Sequence, residues 1–141
     1  MVAWAEMTNM GYLDLSSFDT SQVKDMSWMF EECSNLISLD VSGFDTCCVS
    51  NMSRMFRNCG SLTSLDVSGF DTSRTISMAS MFQNCSGLTS LDVTNFNTSQ
   101  VSNMRRMFYG CSNLMNLDIS GFDMANVTEE EEMLTGTPLA A

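Results

Sequence analysis

Two periodicities alternate along this chain. In Leu36-Ile37-Ser38-Leu39-Asp40-Val41-Ser42, apolar Leu39 and Val41 alternate with Ser38, Asp40 and Ser42. A period of two marks a short strand with one buried face. Val49, Met52, Met55, Phe56 and Cys59 then fall at offsets 0, 3, 6, 7 and 10. That spacing predicts one stripe of a helix two to three turns long. The Ser or Thr before it suits a helix N-cap, and Asn-Cys-Gly or Asn-Cys-Ser after it suits a stop. Gly43, Gly69 and Gly121 mark the turn leaving the strand.

The strand-then-helix unit recurs every 26 residues. Leu-Asp pairs stand at Asp14, Asp40, Asp66, Asp92 and Asp118, and Cys33, Cys59, Cys85 and Cys111 keep the same step. Residues 40–65 and 66–91 share 16 of 26 positions without a gap, which chance does not produce. One such unit cannot bury its own apolar stripe, but stacked copies can. The expectation is therefore an α/β solenoid, with a parallel β-sheet on one face and short helices on the other. Unbranched Met suits the irregular gaps between copies.

The whole chain, 1–141, reads as a single repeat domain. A partial repeat occupies 1–13, repeats start near 14, 40, 66 and 92, and an atypical C-terminal capping repeat spans 118–141. Trp4, Met7 and Met10 fit the register, so the chain opens inside a repeat with apolar Val2-Ala3-Trp4-Ala5. That reads as a cut through a longer protein. At the other end Glu130 replaces an expected buried Met, as a rung with one wet side requires.

Charge narrows the partners. Net charge is -11 with six Lys and Arg in all, and such a surface repels phosphate backbones and anionic lipid. Nucleic acid and membrane insertion are not expected, and no apolar run approaches the ~18 residues of a membrane span. Without His or a C-x-x-C pair, zinc is poorly supported. The four regular Cys read as a ladder of buried thiols, which neighbouring rungs bring within disulfide range. Cys47-Cys48 replaces polar residues of sister repeats and reads as exposed.

The strand-side face carries the candidate ligand-binding residues Asp40, Asp66, Asp92 and Asp118 with Ser38, Ser64 and Ser90. Like charges at rung spacing repel, so turn N–H groups and Ser or Thr hydroxyls are expected to compensate. Calcium on the Asp14, Asp40, Asp66 and Asp92 ladder is the weaker alternative. A file of equivalent acids offers no distinct acid and base, so no catalytic residue is assigned and the chain is not expected to be an enzyme. A second file comprises Asp19, Asp45, Asp71, Asn97 and Asp123. Thr20, Thr46, Thr72 and Thr98 form a third, expected to cap helices, with ice binding the remote alternative. Variable positions on the helix side add Trp28, Arg54, Arg106 and Tyr109 as candidate contacts, since such residues anchor interfaces.

Met29-Phe30, Cys33, Leu36, Leu39-Asp40-Val41-Ser42, Phe44-Asp45-Thr46, Val49 and Met52 together resemble the BspA-like leucine-rich-repeat surface proteins. They are most similar to the 26-residue bacterial surface-protein repeat also seen in mycoplasma-type lipoproteins. The resemblance covers nearly the whole chain and implies a leucine-rich-repeat-like right-handed coil. It also implies an extracellular or cell-surface location and adhesion to host or cell-surface protein or glycan, alongside other repeats or domains of the full-length protein. It carries no catalytic residues and no cofactor. Departures are Thr75 at the Val position and Asn97 at the second Asp position. The reading from sequence is thus a non-enzymatic binding module, with a calcium-stabilised spacer as the alternative.

Overall fold

The computed structural model describes residues 11–139. The register proposed for Trp4, Met7 and Met10 lies outside them.

The α/β solenoid is overturned. Among the described residues there is no helix, and the strands form two separate two-stranded parallel sheets in place of one continuous sheet. In the first, β1 (Tyr12–Asp14) pairs with β2 (Ser38–Asp40). In the second, β3 (Ser90–Leu91) pairs with β4 (Asn116–Leu117). The leucine-rich-repeat-like coil with a helical face falls with that finding.

The backbone shows why the predicted helices do not form. Met52, Arg54, Phe56 and Asn58 donate their N–H groups to the carbonyls of Ser77, Ala79, Met81 and Gln83, in the following repeat. The residues between them bond locally, Met55 to Met52, Arg57 to Arg54 and Cys59 to Phe56. A helix needs every N–H directed four residues back along its own axis. Here alternate groups point out of the turn. Left-handed φ at Arg54 (59°) and Asn58 (65°) breaks any helical run, and Trp28, Glu32, Ser80 and Asn84 repeat the break. The apolar spacing of three is satisfied by successive tight turns as well as by a helix.

The 26-residue step persists as hydrogen bonding. Parallel bridges link Asp25 to Asn51, Asn51 to Ser77, Ser77 to Asn103 and Asn103 to Glu129. Phe30, Phe56, Phe82 and Phe108 stack with ring centroids 5.6, 5.6 and 5.7 Å apart. They share one core with the buried Met, Leu, Val and Cys of each repeat. Each ring thus meets its counterparts in adjoining repeats, and no turn buries its stripe alone.

Cys33, Cys59, Cys85 and Cys111 lie in this core as reduced thiols. Cys59, Cys85 and Cys111 donate to the carbonyls of Phe30, Phe56 and Phe82 at 3.0–3.1 Å. Thr75, which departs from the family pattern, is buried and donates to the Val49 carbonyl at 3.1 Å. A β-branched hydroxyl thus replaces Val without an unsatisfied group. Cys47 and Cys48 are half-buried, not exposed as expected, with sulfurs 3.6 Å apart. Of the turn glycines only Gly43 is required by space, because a Cβ there would lie 1.9 Å from the Ser16 carbonyl oxygen. Gly69 and Gly121 have open surroundings.

Candidate functional site

The strand-side carboxylates are exposed, and each first serves its own turn. Asp14, Asp40, Asp66, Asp92 and Asp118 accept, through Oδ1, the N–H of the residue two positions on, at 2.9–3.0 Å. Ser68, Thr94 and Ser120 add their hydroxyls at 2.6 Å. These local bonds favour the charged form. The Ser16, Ser68, Thr94 and Ser120 hydroxyls, and then their amides, hold Asp14, Asp66, Asp92 and Asp118 below the usual carboxylate value. At Asp92 the neighbouring charges of Asp66 and Asp118 push the other way and lose. Turn bonding at every step is what offsets the repulsion of like charges standing in file.

Asp40, Asp66, Asp92 and Asp118 each retain a second oxygen with no protein partner among the described residues. Beside them Ser38, Ser64 and Ser90 are exposed. Two shallow depressions gather these groups. Ser38, Asp40, Ser64 and Asp66 line one of about 310 Å³. Ser90, Asp92 and Asp118, with Asn116 and Met115, line one of about 550 Å³. The predicted residues are therefore brought together in two groups. Tyr12 and Met115, 72% and 62% exposed, add apolar surface at the β1 and β4 ends that sequence reasoning passed over.

The calcium ladder does not fit this geometry. Hard cations take six to eight oxygens, with several carboxylates converging. No group of three His, Cys, Asp or Glu among the described residues is close enough to hold a metal ion. The threonine file is also corrected. Thr20, Thr46, Thr72 and Thr98 are at most 5% exposed, so they present no array to ice. Nor do they cap helices. Thr72 Oγ1 donates to the Asn97 carbonyl at 3.0 Å and accepts the Asn97 N–H at 2.8 Å, clamping one repeat to the next. The other three make the same pair of bonds. Asn97 accepts from Ser99 N–H and Oγ as Asp19 and Asp71 do from Ser21 and Ser73, so the second file needs an acceptor and not a charge.

On the turn side, the Arg54 guanidinium lies over the Trp28 ring at 5.5 Å and that of Arg106 over Tyr109 at 5.3 Å. Arg57 pairs with Glu31 at 2.6 Å, and Arg106 grips Glu132 through two nitrogens at 2.9 and 3.1 Å. The four predicted contacts thus form two separate cation–ring pairs. Arg105 was overlooked. It stands where Ser27, Ser53 and Ala79 occupy the sister repeats, and that switch from small to cationic was the available signal.

Ionised, turn-bonded acids that recur at a fixed step suit hydrogen-bond acceptance from a ligand and not proton donation. Chains of this construction form a repeat-type class in which each copy is completed by its neighbours. The family described as "Mycoplasma protein of unknown function, DUF285" matches residues 2–90 and, again, 38–140, and the chain belongs to it. No curated protein and no solved structure matches the chain. No helix among the described residues is long and apolar enough to cross a membrane.

Proposed function

We propose that the chain is a non-catalytic binding module of a bacterial surface or secreted protein. Its strand-side face would engage a host or cell-surface protein or glycan. The observation that carries this reading is the regular display of carboxylate oxygens beside exposed serines on a fixed backbone. Each acid keeps one oxygen free after stabilising its own turn, so ligand contact costs the fold nothing. Basic protein groups and sugar hydroxyls are the donors such a surface suits. The resemblance to BspA-like surface proteins supports the surface location and the adhesive role.

The test replaces Asp40, Asp66 and Asp92 together by Asn, which keeps the Oδ1 acceptor and removes the charge. Binding to a panel of host-surface proteins and glycans should fall at least about tenfold for a genuine ligand, as loss of charge-assisted bonds implies. The fold should persist with a modest drop in melting temperature, since Asn keeps the Oδ1 acceptor but gives up the charge that strengthens the turn bonds of Asp66 and Asp92. Binding that survives the triple replacement places the ligand elsewhere.

A further inference from the structure

Four of the six basic residues of this acidic chain, Arg54, Arg57, Arg105 and Arg106, line one depression of about 240 Å³. Four carboxylates bear on it. Glu31 holds Arg57 with Glu32 at 3.9 Å behind it, Glu132 holds Arg106, and Glu129 in the wall accepts from Asn103 Nδ2 at 3.4 Å. Arg54 rests on Trp28, and the Arg105 guanidinium has no partner among the described residues. Two cations are thus left without a carboxylate. Distant acids of the -11 chain are screened beyond about 8 Å at physiological salt, so these near charges decide what enters.

A second observation comes from polar groups in the same depression. Gln83 is only 7% exposed and Ser80 9%, yet neither side chain has a hydrogen-bond partner among the described residues. A buried amide left unmatched is costly, because the hydrogen bonds it made to water are not replaced. Native structures rarely carry such a group without a use for it. The other copies do not repeat it, since Glu31 and Arg57 at the equivalent positions pair with one another.

We infer that this depression is a binding site for a carboxylated sugar, with Arg105 and Arg54 taking the carboxylate and Gln83 and Ser80 taking the ring hydroxyls. The amide decides between ligand classes. Gln83 offers a donor and an acceptor. The carboxylate of an acidic peptide side chain supplies acceptors alone, so a donor for the carbonyl oxygen of Gln83 would have to come from the peptide backbone. A sugar acid supplies both the anion and donating hydroxyls. The volume admits one such unit, and the acidic remainder of the surface disfavours an extended polyanion.

The intact chain is titrated with D-glucuronate at low salt by calorimetry, with D-glucose, acetate and an N-acetylated glutamate peptide as comparison probes. Saturable glucuronate binding is expected, at least about tenfold tighter than any comparison probe, in line with the loss of a charge-assisted bond. Arg105→Gln and Gln83→Glu should each weaken it by a similar factor, and added salt should weaken it too. Arg105 is exposed, so its replacement leaves the core intact, and circular dichroism checks the fold of both variants. The strand-side triple Asn variant should bind glucuronate normally, which keeps this site's failure distinguishable from failure of that face. Absent binding, undiminished binding in Arg105→Gln, or equal binding of acetate or the peptide would each overturn the assignment.

Discussion

Thr72 shows how a single hydroxyl joins two copies of the repeat. It accepts the Asn97 N–H and donates to the Asn97 carbonyl while 1% exposed. Val has nearly the same shape and neither bond. Thr72→Val should therefore destabilise by about 1–3 kcal/mol, because a backbone donor and acceptor lose their buried partner. Urea denaturation measures this, and an unchanged midpoint would show that water replaces the clamp. The sequence placed Thr20, Thr46, Thr72 and Thr98 in one file but suggested the wrong use. A hydroxyl before an apolar stripe reads as a helix cap, and only the neighbouring repeat reveals the second bonding direction.

At the scale of elements, the turn segments are defined by left-handed backbone. Asn84 has φ of 60° and donates Nδ2 to Asn58 Oδ1 at 2.8 Å. Gly tolerates that backbone freely, whereas a β-branched residue is strained there by about 1–2 kcal/mol. Asn84→Val should accordingly melt well below Asn84→Gly, although both lose the side-chain bond. Equal melting temperatures would mean that the bond, not the backbone, holds the turn. Asn at 58 and 84, in Asn-Cys-Gly and Asn-Cys-Ser, was legible as a stop signal. It was read as ending a helix, because apolar offsets of 0, 3, 6, 7 and 10 fit a helix and a chain of three-residue turns alike. The second left-handed position, at 28, 54, 80 and 106, carries Trp, Arg, Ser and Arg. Those residues signal no turn, so that break was not readable.

For the whole molecule, two files of titratable groups set the pH limits. Burial pushes the thiols of Cys33 and Cys111 up to about 11 and that of Cys59 to about 12, and holds that of Cys85 well above its ordinary value. A raised folded-state value contributes stability below the unfolded value and loses it as pH climbs through the folded one. Unfolding should therefore become easier above pH 9, the ordinary thiol value. The lowered aspartates act at the other limit. Asp14, Asp66, Asp92 and Asp118 favour the fold above 3.8 and lose that contribution as pH falls below it. Melting temperature against pH should be flat between these limits and fall at both. At neutral pH, Cys47 and Cys48 should be the only thiols open to a thiol reagent before unfolding, and all six afterwards. Labelling of Cys85 in the native state would contradict a tightly stacked core.

By itself the sequence determined the 26-residue register, the inward Cys, Met and Phe files and the exposed Asp and Ser, because periodic burial is written into residue identity. It did not determine the direction of the backbone hydrogen bonds. That choice, between a bond within the segment and a bond to the next copy, depends on a neighbour 26 residues away and on left-handed turns at ordinary side chains. The tertiary structure therefore replaced helices with turns and set the threonines between copies. It also gathered Arg54, Arg57, Arg105 and Arg106, drawn from two alternate repeats, around one buried and unmatched glutamine.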